Sequence, residues 1–283
     1  MPGPAAPPRS NNAAPWLHQE VARRMAERLP VIRKPPPHWL DWFGFAGGSA
    51  AAVAAVLPAA RRRVVEPTVA LAERSRAALR RPWWRPGSRA AAQRNVLLES
   101  EVPAGAAPMV WANMMLHTVA EPAAVIARWQ AALAEDGFLM FSTLGPDSLL
   151  ELRAIYREQG WPVPHAPFTD MHDWGDALVQ AGFADPVMDQ EMLTLTWSTP
   201  DAALAELRGL PGQPGAFAGL RTPRWRERLR AVLAERADAG GRIAMRFEIV
   251  YGHAFKAPPR PARGAPATVS LAGLRDKLEP RPG

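Results

Sequence analysis

Short apolar strands alternate with helical stretches in the first half of this chain, and this alternation constrains the fold more than any other feature. An amphipathic helix is predicted over 16–29, because apolar residues recur there at helical spacing. Strands are predicted over 39–43, 61–66, 95–99, 108–112 and 137–143, and helices over 49–57, 68–80 and 121–133. Strands that alternate with helices form parallel sheets with right-handed crossovers, so we predict an α/β, doubly wound sheet.

The pattern changes after Gly145 and Pro146, which end the last strand of that half. The elements predicted there are helices over 147–158 and 170–181, a strand over 187–197, a polar helical stretch over about 200–236 and a last strand over 243–255. Two long strands separated by helices indicate antiparallel additions to the sheet. In the last strand Tyr251 and His253 share one face by period two, and that face could be core or pocket.

Composition excludes several classes of protein. The 283 residues include no cysteine, so disulfides and thiolate metal sites are excluded. The apolar runs are too short for a membrane span, and the first fifteen residues lack the apolar core of a secretory signal, so we expect a cytoplasmic protein. The net charge of +7 comes mostly from arginine, in a chain also rich in alanine and proline. Without a nucleic-acid-binding motif we predict no nucleic-acid partner, whereas a basic surface would suit an acidic protein.

These patterns divide the chain into five parts. We predict a disordered tail over 1–15, an α/β core over 16–199, a helical insertion over 200–240, the last core strand over 241–256 and a loose Pro/Arg-rich tail over 257–283.

Three segments carry a resemblance to a known family: GPDSLLELR at 145–153, FTDMHDWGDALVQAGF at 168–183 and FEIVYGHAFK at 247–256. Over about 16–274 the chain resembles the malonyl-ACP O-methyltransferases of biotin synthesis and their relatives, which include a respiratory complex I assembly factor reported to hydroxylate an arginine. The resemblance implies a class I (Rossmann-like) methyltransferase sheet with a helical lid insertion before the last strand. It also implies S-adenosylmethionine as cofactor, and as partner an acyl carrier protein thioester or another protein substrate.

The glycine-rich segment after the first strand departs from the pattern Asp-x-Gly-x-Gly-x-Gly of such methyltransferases. Glycine serves there because a side chain would collide with the cofactor. In this chain Asp41 is followed by Phe43 and Phe45 at the first two glycine positions, and only Gly47 is in place. After a slip of one residue, the candidate cofactor-binding glycines are Gly44, Gly47 and Gly48.

Polar residues follow the next three strands. By the resemblance, Glu66 would take the ribose hydroxyls, Glu99 would meet the adenine and Asn113 would face the methionine part of the cofactor. His117, one turn further on, becomes a candidate for substrate binding. Each residue has a structural alternative as well, since polar residues at strand ends are often exposed or form turns.

The resemblance also names substrate-binding candidates in the second half, namely Asp147, Arg153, His172 and Tyr251. The arginines that could hold a carboxylate or a carrier's phosphopantetheine phosphate are Arg153, Arg221, Arg224 and Arg226. The alternative is structural. Ser148 and Glu151 have the spacing of a capping box, and Thr169 or Asp170 would cap the next helix, which favours a capped helix over a metal site near His172. The arginines could equally form the solvated face of lid helices.

Methyl transfer to a carboxylate needs no general base, because the carboxylate is already ionised at neutral pH. The lack of a recognisable base is therefore compatible with an O-methyltransferase. A small-residue run at 263–271 is similar to the assembly-factor branch, and it keeps an arginine hydroxylase as an alternative. A third possibility is a non-catalytic relative, in which Phe43 and Phe45 fill the cofactor space.

Overall fold

A seven-stranded mixed sheet forms the centre of the computed structural model, which describes residues 14–79, 95–210 and 222–257. The strands are β1 (His38–Trp42), β2 (Arg61–Glu66), β3 (Val96–Leu98), β4 (Ala107–Ala112), β5 (Leu133–Leu144), β6 (Phe183–Trp197) and β7 (Ile243–Lys256). Their order is β3-β2-β1-β4-β5-β7-β6, in which the first five strands are parallel and β7 runs antiparallel to both β5 and β6. The doubly wound α/β prediction is confirmed.

Helices cover both faces of this sheet. They are α1 (Trp16–Ala26), α2 (Gly44–Gly47), α3 (Ala50–Val56), α4 (Val69–Ala78), α5 (Pro122–Ala132), α6 (Leu150–Glu158), α7 (Met171–Gln180), α8 (Pro200–Gly209) and α9 (Pro223–Glu235). Alternate strand residues face opposite layers. Met140 of β5 packs in the cluster that contains α1, α6 and α9, whereas its neighbour Phe141 packs in the cluster of α5 and α7.

Two helix starts test the predicted caps. Asp170 caps α7 by accepting a hydrogen bond from the His172 backbone N at 2.8 Å, as predicted. The capping box of Ser148 and Glu151 is wrong, because α6 begins at Leu150 without a side-chain cap. The Ser148 hydroxyl instead donates to the Glu248 carbonyl at 3.1 Å, and Glu151 pairs with an arginine of β7. The adjacent strand therefore provides the partners that a local cap would have used.

Several predicted features lie outside the described residues. These are most of the tail 1–15, Arg221, the run 263–271 and nearly all of the tail 257–283. The predicted insertion corresponds, in its described part, to α8 and α9 between β6 and β7.

Candidate functional site

The carboxyl ends of β1, β2 and β4 lie side by side at one edge of the sheet. The strands are in register there, because Asp41 is paired with both Val64 and Trp111. The segment 43–48, which contains the one-turn helix α2 and is called the loop below, follows β1, while Glu66 ends β2 and Asn113 follows β4. Open α/β sheets bind their ligands at this edge. We call the loop, Glu66 and Asn113 the strand-end site.

The loop keeps a left-handed turn although an aromatic residue occupies it. Phe43 has φ 62° and ψ 37°, a conformation that costs a residue other than glycine about 1 kcal/mol. Its ring is buried in the cluster of α5 and α7, and this burial offsets the backbone cost. Gly48 is also left-handed (φ 69°), and a Cβ there would lie 2.8 Å from the Ala14 Cβ. The loop therefore retains a backbone turn at the first glycine position without glycine.

An ion pair lies directly beneath this loop. Asp41 is fully buried, and the Arg62 Nε donates to its Oδ2 at 2.6 Å. Burial raises the pKa of Asp41, and the neighbouring guanidinium acts in the opposite direction. Gly44 has to be glycine for this pair to form, since a Cβ would lie 2.9 Å from atoms of both partners. The predicted cofactor glycine thus makes room for an internal ion pair.

Glu66 is the polar side chain of the strand-end site with an unused oxygen. Its Oε1 accepts hydrogen bonds from the Phe45 backbone N at 2.8 Å and from the Ser75 hydroxyl at 2.6 Å. Its Oε2 is buried and has no hydrogen-bond partner within the three described ranges. Burial raises the pKa of Glu66 to about 7, while the hydrogen bonds from Ser75 and Phe45 act to lower it. A buried acceptor of this kind can take a hydroxyl donor from a ligand.

The loop also borders a cavity on the side of α3 and α4. Its volume is about 260 Å³, and its lining includes the loop residues Gly44, Phe45 and Gly48 together with Ser75. The Phe45 ring lies beside α4, where the guanidinium carbon of Arg74 is 4.3 Å from the ring centroid. There is space for part of a ligand beside the loop.

Asn113 has all its side-chain hydrogen-bonding atoms engaged. Its Nδ2 donates to the carbonyls of His18 at 2.7 Å and Gly47 at 2.6 Å, and its Oδ1 accepts from the Ser142 hydroxyl at 2.7 Å. The residue is fully buried. Asn113 therefore ties α1, the loop and β5 together.

Glu99 is engaged as well, at the end of β3. One carboxylate oxygen accepts from the Trp42 indole N at 2.7 Å, and the other pairs with Arg128 of α5 at 2.6 Å. These contacts link β1 to α5.

His117 lies next to Asn113 and is almost completely buried. Its Nδ1 is 3.4 Å from the Leu144 backbone N and 3.2 Å from the Thr143 hydroxyl. Burial, aided by His18 and His165, lowers the pKa of His117 to about 3, so the ring is neutral at physiological pH. Its Nε2 is a buried atom without a hydrogen-bond partner in the described part of the chain.

The remaining predicted substrate residues do not gather at one place. Asp147 is exposed, and its backbone N donates to the Glu248 carboxylate at 2.7 Å. His172 is exposed at the start of α7, where its ring contacts the Asp170 carboxylate at 2.7 Å. Arg153 is exposed on α6. Burial lowers the pKa of His165, and the charge of Arg153 acts in the same direction.

Tyr251 belongs to the core rather than to the strand ends. It is 3% exposed, its hydroxyl donates to Glu191 of β6, and the guanidinium of Arg28 lies 3.8 Å above its ring. Burial and then the neighbouring carboxylate raise the pKa of Tyr251. Arg224 and Arg226 are exposed on α9.

Sequence reasoning missed four polar partners at this edge: His18, Ser75, Ser142 and His165. Each stands in a segment that reads as ordinary helix, strand or loop. His18 and Ser142 bond to Asn113, which is 95 and 29 residues away in sequence. His165 had one signal, since it is a polar residue between prolines directly before the family segment at 168–183.

Two further findings limit the kinds of site present. Within the described residues no group of three or more His, Asp or Glu side chains could hold a metal ion. The same residues contain no helix that is long and apolar enough to span a membrane.

Comparison with known proteins identifies the family. A methyltransferase domain family matches residues 16–185. The chain is 36% identical to a malonyl-[acyl-carrier protein] O-methyltransferase of Laribacter hongkongensis, over 87% of this chain and 85% of that protein. It is 34% identical to the enzyme of the same name in Gallionella capsiferriformans, over 92% and 91% of the two chains.

Solved structures share the fold. The YcgJ protein of Bacillus subtilis superposes with a TM-score of 0.53 at 14% identity, over 86% of this chain and all of that one. This similarity and the strand order confirm the class I methyltransferase sheet. The chain therefore belongs to the malonyl-[acyl-carrier protein] O-methyltransferase family of methyltransferase-domain proteins.

Proposed function

We propose that this protein transfers a methyl group from S-adenosylmethionine to the free carboxylate of a malonyl thioester carried on an acyl carrier protein, a reaction of biotin synthesis. Family membership over most of the chain is the observation that carries this proposal. Proteins of this family are S-adenosylmethionine-dependent methyltransferases.

The strand-end site fits the cofactor at one decisive point. Glu66 Oε2, which has no hydrogen-bond partner among the described residues, is a buried acceptor at the end of β2, where the ribose hydroxyls of an adenosine group would donate. The backbone of Gly44, Gly47 and Gly48 would form the near wall, with the cavity beside the loop accommodating part of the ligand. Glu99 would border the adenine through the outer side of its carboxylate, and Asn113 the methionine end.

Bound there, S-adenosylmethionine supplies an electrophilic methyl group on a sulfonium. The protein has to align the malonyl carboxylate and exclude water, and it needs no base because the carboxylate is ionised. Candidates for holding the acceptor are His117, which lies next to Asn113, and Arg153, whose charge acts on His165. The other three, Asp147, His172 and Tyr251, stay predictions, and their present contacts favour structural roles.

Calorimetric titration with S-adenosylhomocysteine, followed by methylation of malonyl-ACP, tests this function. We expect binding in the micromolar range, and conversion of malonyl-ACP to its methyl ester, still attached to the carrier, with formation of S-adenosylhomocysteine. Glu66→Ala should weaken binding by about 1–3 kcal/mol through the loss of charge-assisted hydrogen bonds. Glu73→Ala is the matched control, because Glu73 is an exposed carboxylate on the neighbouring α4.

A second candidate is a non-catalytic relative that has lost its cofactor. The fully engaged Asn113 and the buried Phe43 ring favour it, since both occupy the strand ends with internal contacts. Well-folded protein that does not bind S-adenosylhomocysteine would support this candidate and exclude the methyltransferase.

A further inference from the structure

Two histidines beside the strand-end site have opposite hydrogen-bonding character. The Leu144 backbone N can only donate, so His117 Nδ1 is an acceptor and the proton of the neutral ring lies on Nε2. The Ala166 carbonyl can only accept, so His165 Nδ1 carries the proton and its Nε2 is the acceptor. The pair offers one N–H donor and one nitrogen acceptor.

Both outer nitrogens are buried without a hydrogen-bond partner in the described ranges. Leaving such an atom unpaired destabilises the folded chain, which makes two of them close together a sign of a ligand site. Phe168 joins the two rings. It stacks on His165 with a centroid distance of 4.6 Å and meets His117 edge-on at 5.9 Å.

Burial decreases along this row. His117 is 7% exposed, His165 is half-buried, and Arg153, whose charge acts on His165, is exposed. From inside to outside the row offers a neutral donor, a neutral acceptor and a cation. A malonyl group on a phosphopantetheine arm presents matching groups in the same order: a thioester carbonyl, an amide N–H and a phosphate.

Resting on the proposed function, we infer that His117 and His165 bind the thioester end of the phosphopantetheine arm. The His117 Nε2–H donates to the thioester carbonyl, and the His165 Nε2 accepts from the first amide N–H of the arm. Arg153 faces the phosphate. His165 is thus a specificity-determining residue that binds the phosphopantetheine arm rather than the malonyl group.

The neutral state of the pair suits methyl transfer. A cation beside the acceptor would stabilise the carboxylate before reaction and lower its reactivity, whereas a neutral donor on the thioester carbonyl positions the malonyl group without this cost. Arg153, the charged member of the row, is at its outer end, away from the buried His117.

The kinetic test compares two small malonyl thioesters. One is the N-acetylcysteamine thioester, which contains the amide, and the other is an S-alkyl thioester of equal length without it. Wild type should prefer the first in kcat/KM by about fivefold to tenfold, the value of one neutral hydrogen bond. His165→Phe keeps the stack on Phe168 and should lose most of this preference, with the change appearing as a raised KM for the amide-containing thioester. Equal loss on both thioesters, or an unchanged preference, would overturn the inference.

His117 is tested by a matched pair of variants. His117→Gln retains an N–H donor and should keep a substantial part of the activity on both thioesters, whereas His117→Phe should lose more. If the two variants are equally impaired, the donor role is refuted.

A binding measurement separates this inference from the proposed function. Nitrogen-15 NMR of the histidine rings, with malonyl-pantetheine added in the absence of cofactor, should shift both Nε2 resonances. Shifts in a protein that does not methylate malonyl-ACP would sustain the pair as a pantetheine site and reject the proposed reaction. Methylation without these shifts would do the reverse.

Discussion

Replacing Glu66 by glutamine should stabilise the chain at alkaline pH much more than at acid pH. Burial raises the pKa of this carboxyl to about 7 in the folded chain, from an ordinary value of 4.5. The folded state therefore holds the proton more tightly than the unfolded chain does. Glutamine has nearly the same shape and can still accept the hydrogen bond from the Phe45 backbone N, but it cannot ionise.

The sign and size of the effect follow from linkage. The stability that protonated Glu66 contributes is full below about pH 4.5, and it is lost as the pH rises through 7. At about 1.4 kcal/mol for each tenfold change in proton affinity, the loss is about 3 kcal/mol. The Glu66→Gln variant does not lose this stability as the pH rises, because glutamine does not ionise.

Guanidinium chloride denaturation at pH 4.5 and at pH 8 measures the effect. The stability difference between variant and wild type should grow by about 3 kcal/mol between the two pH values. Ser75→Ala is a useful second variant, because it removes a hydrogen bond that lowers the pKa of Glu66. The fall in stability between pH 4.5 and pH 8 should therefore be larger in Ser75→Ala than in wild type. A difference between Glu66→Gln and wild type that does not change with pH would refute the reasoning.

Three further variants test a close packing contact, the ion pair beneath the loop and a hydrogen bond in the core. Gly252→Ala should lower the free energy of unfolding by at least about 2 kcal/mol, because its Cβ would fall 2.0 Å from the Phe141 ring; chemical denaturation without a measurable loss would contradict it. Arg62→Met should cost about 3–5 kcal/mol by the same measurement, since it leaves Asp41 buried without its cation, and a cost below about 1 kcal/mol would argue against a charged Asp41. Tyr251→Phe should lower stability by about 1 kcal/mol and leave the KM for malonyl-ACP unchanged, whereas a raised KM would return this tyrosine to the substrate site.

The sheet could be predicted from the sequence because its strands are short, apolar and separated by recognisable helices. The predicted β2, residues 61–66, coincides with Arg61–Glu66. The starts of β5 and β6 were predicted about four residues late, because Glu135-Asp136 and Asp185-Pro186 interrupt the apolar pattern near the start of each strand. Gly182, with φ 89°, turns the chain from α7 directly into β6.

The candidate site could be predicted in its positions but not in its contacts. The order of strands brings Glu66 and Asn113 to one edge, and this follows from topology alone. Their partners do not follow, because the bonds from Asn113 reach back 95 residues to His18 and 66 to Gly47. The failed capping box at Ser148 has the same cause, a strand distant in sequence that competes with a local pattern.

The N-terminal helix is a structural part of the strand-end site. The His18 Nδ1 donates to the Ala46 carbonyl of the loop at 2.8 Å, and the His18 backbone carbonyl accepts a hydrogen bond from Asn113. Towards the other end of α1, Arg24 pairs with Glu191 of β6 at 2.8 Å. A ligand acceptor that bonds to the Asn113 Nδ2 has to displace one of its two internal bonds, whereas Glu66 Oε2 accepts without displacing any in the described chain. Cofactor affinity should consequently rest on Glu66 more than on Asn113, whose first role is to hold the helix over the loop.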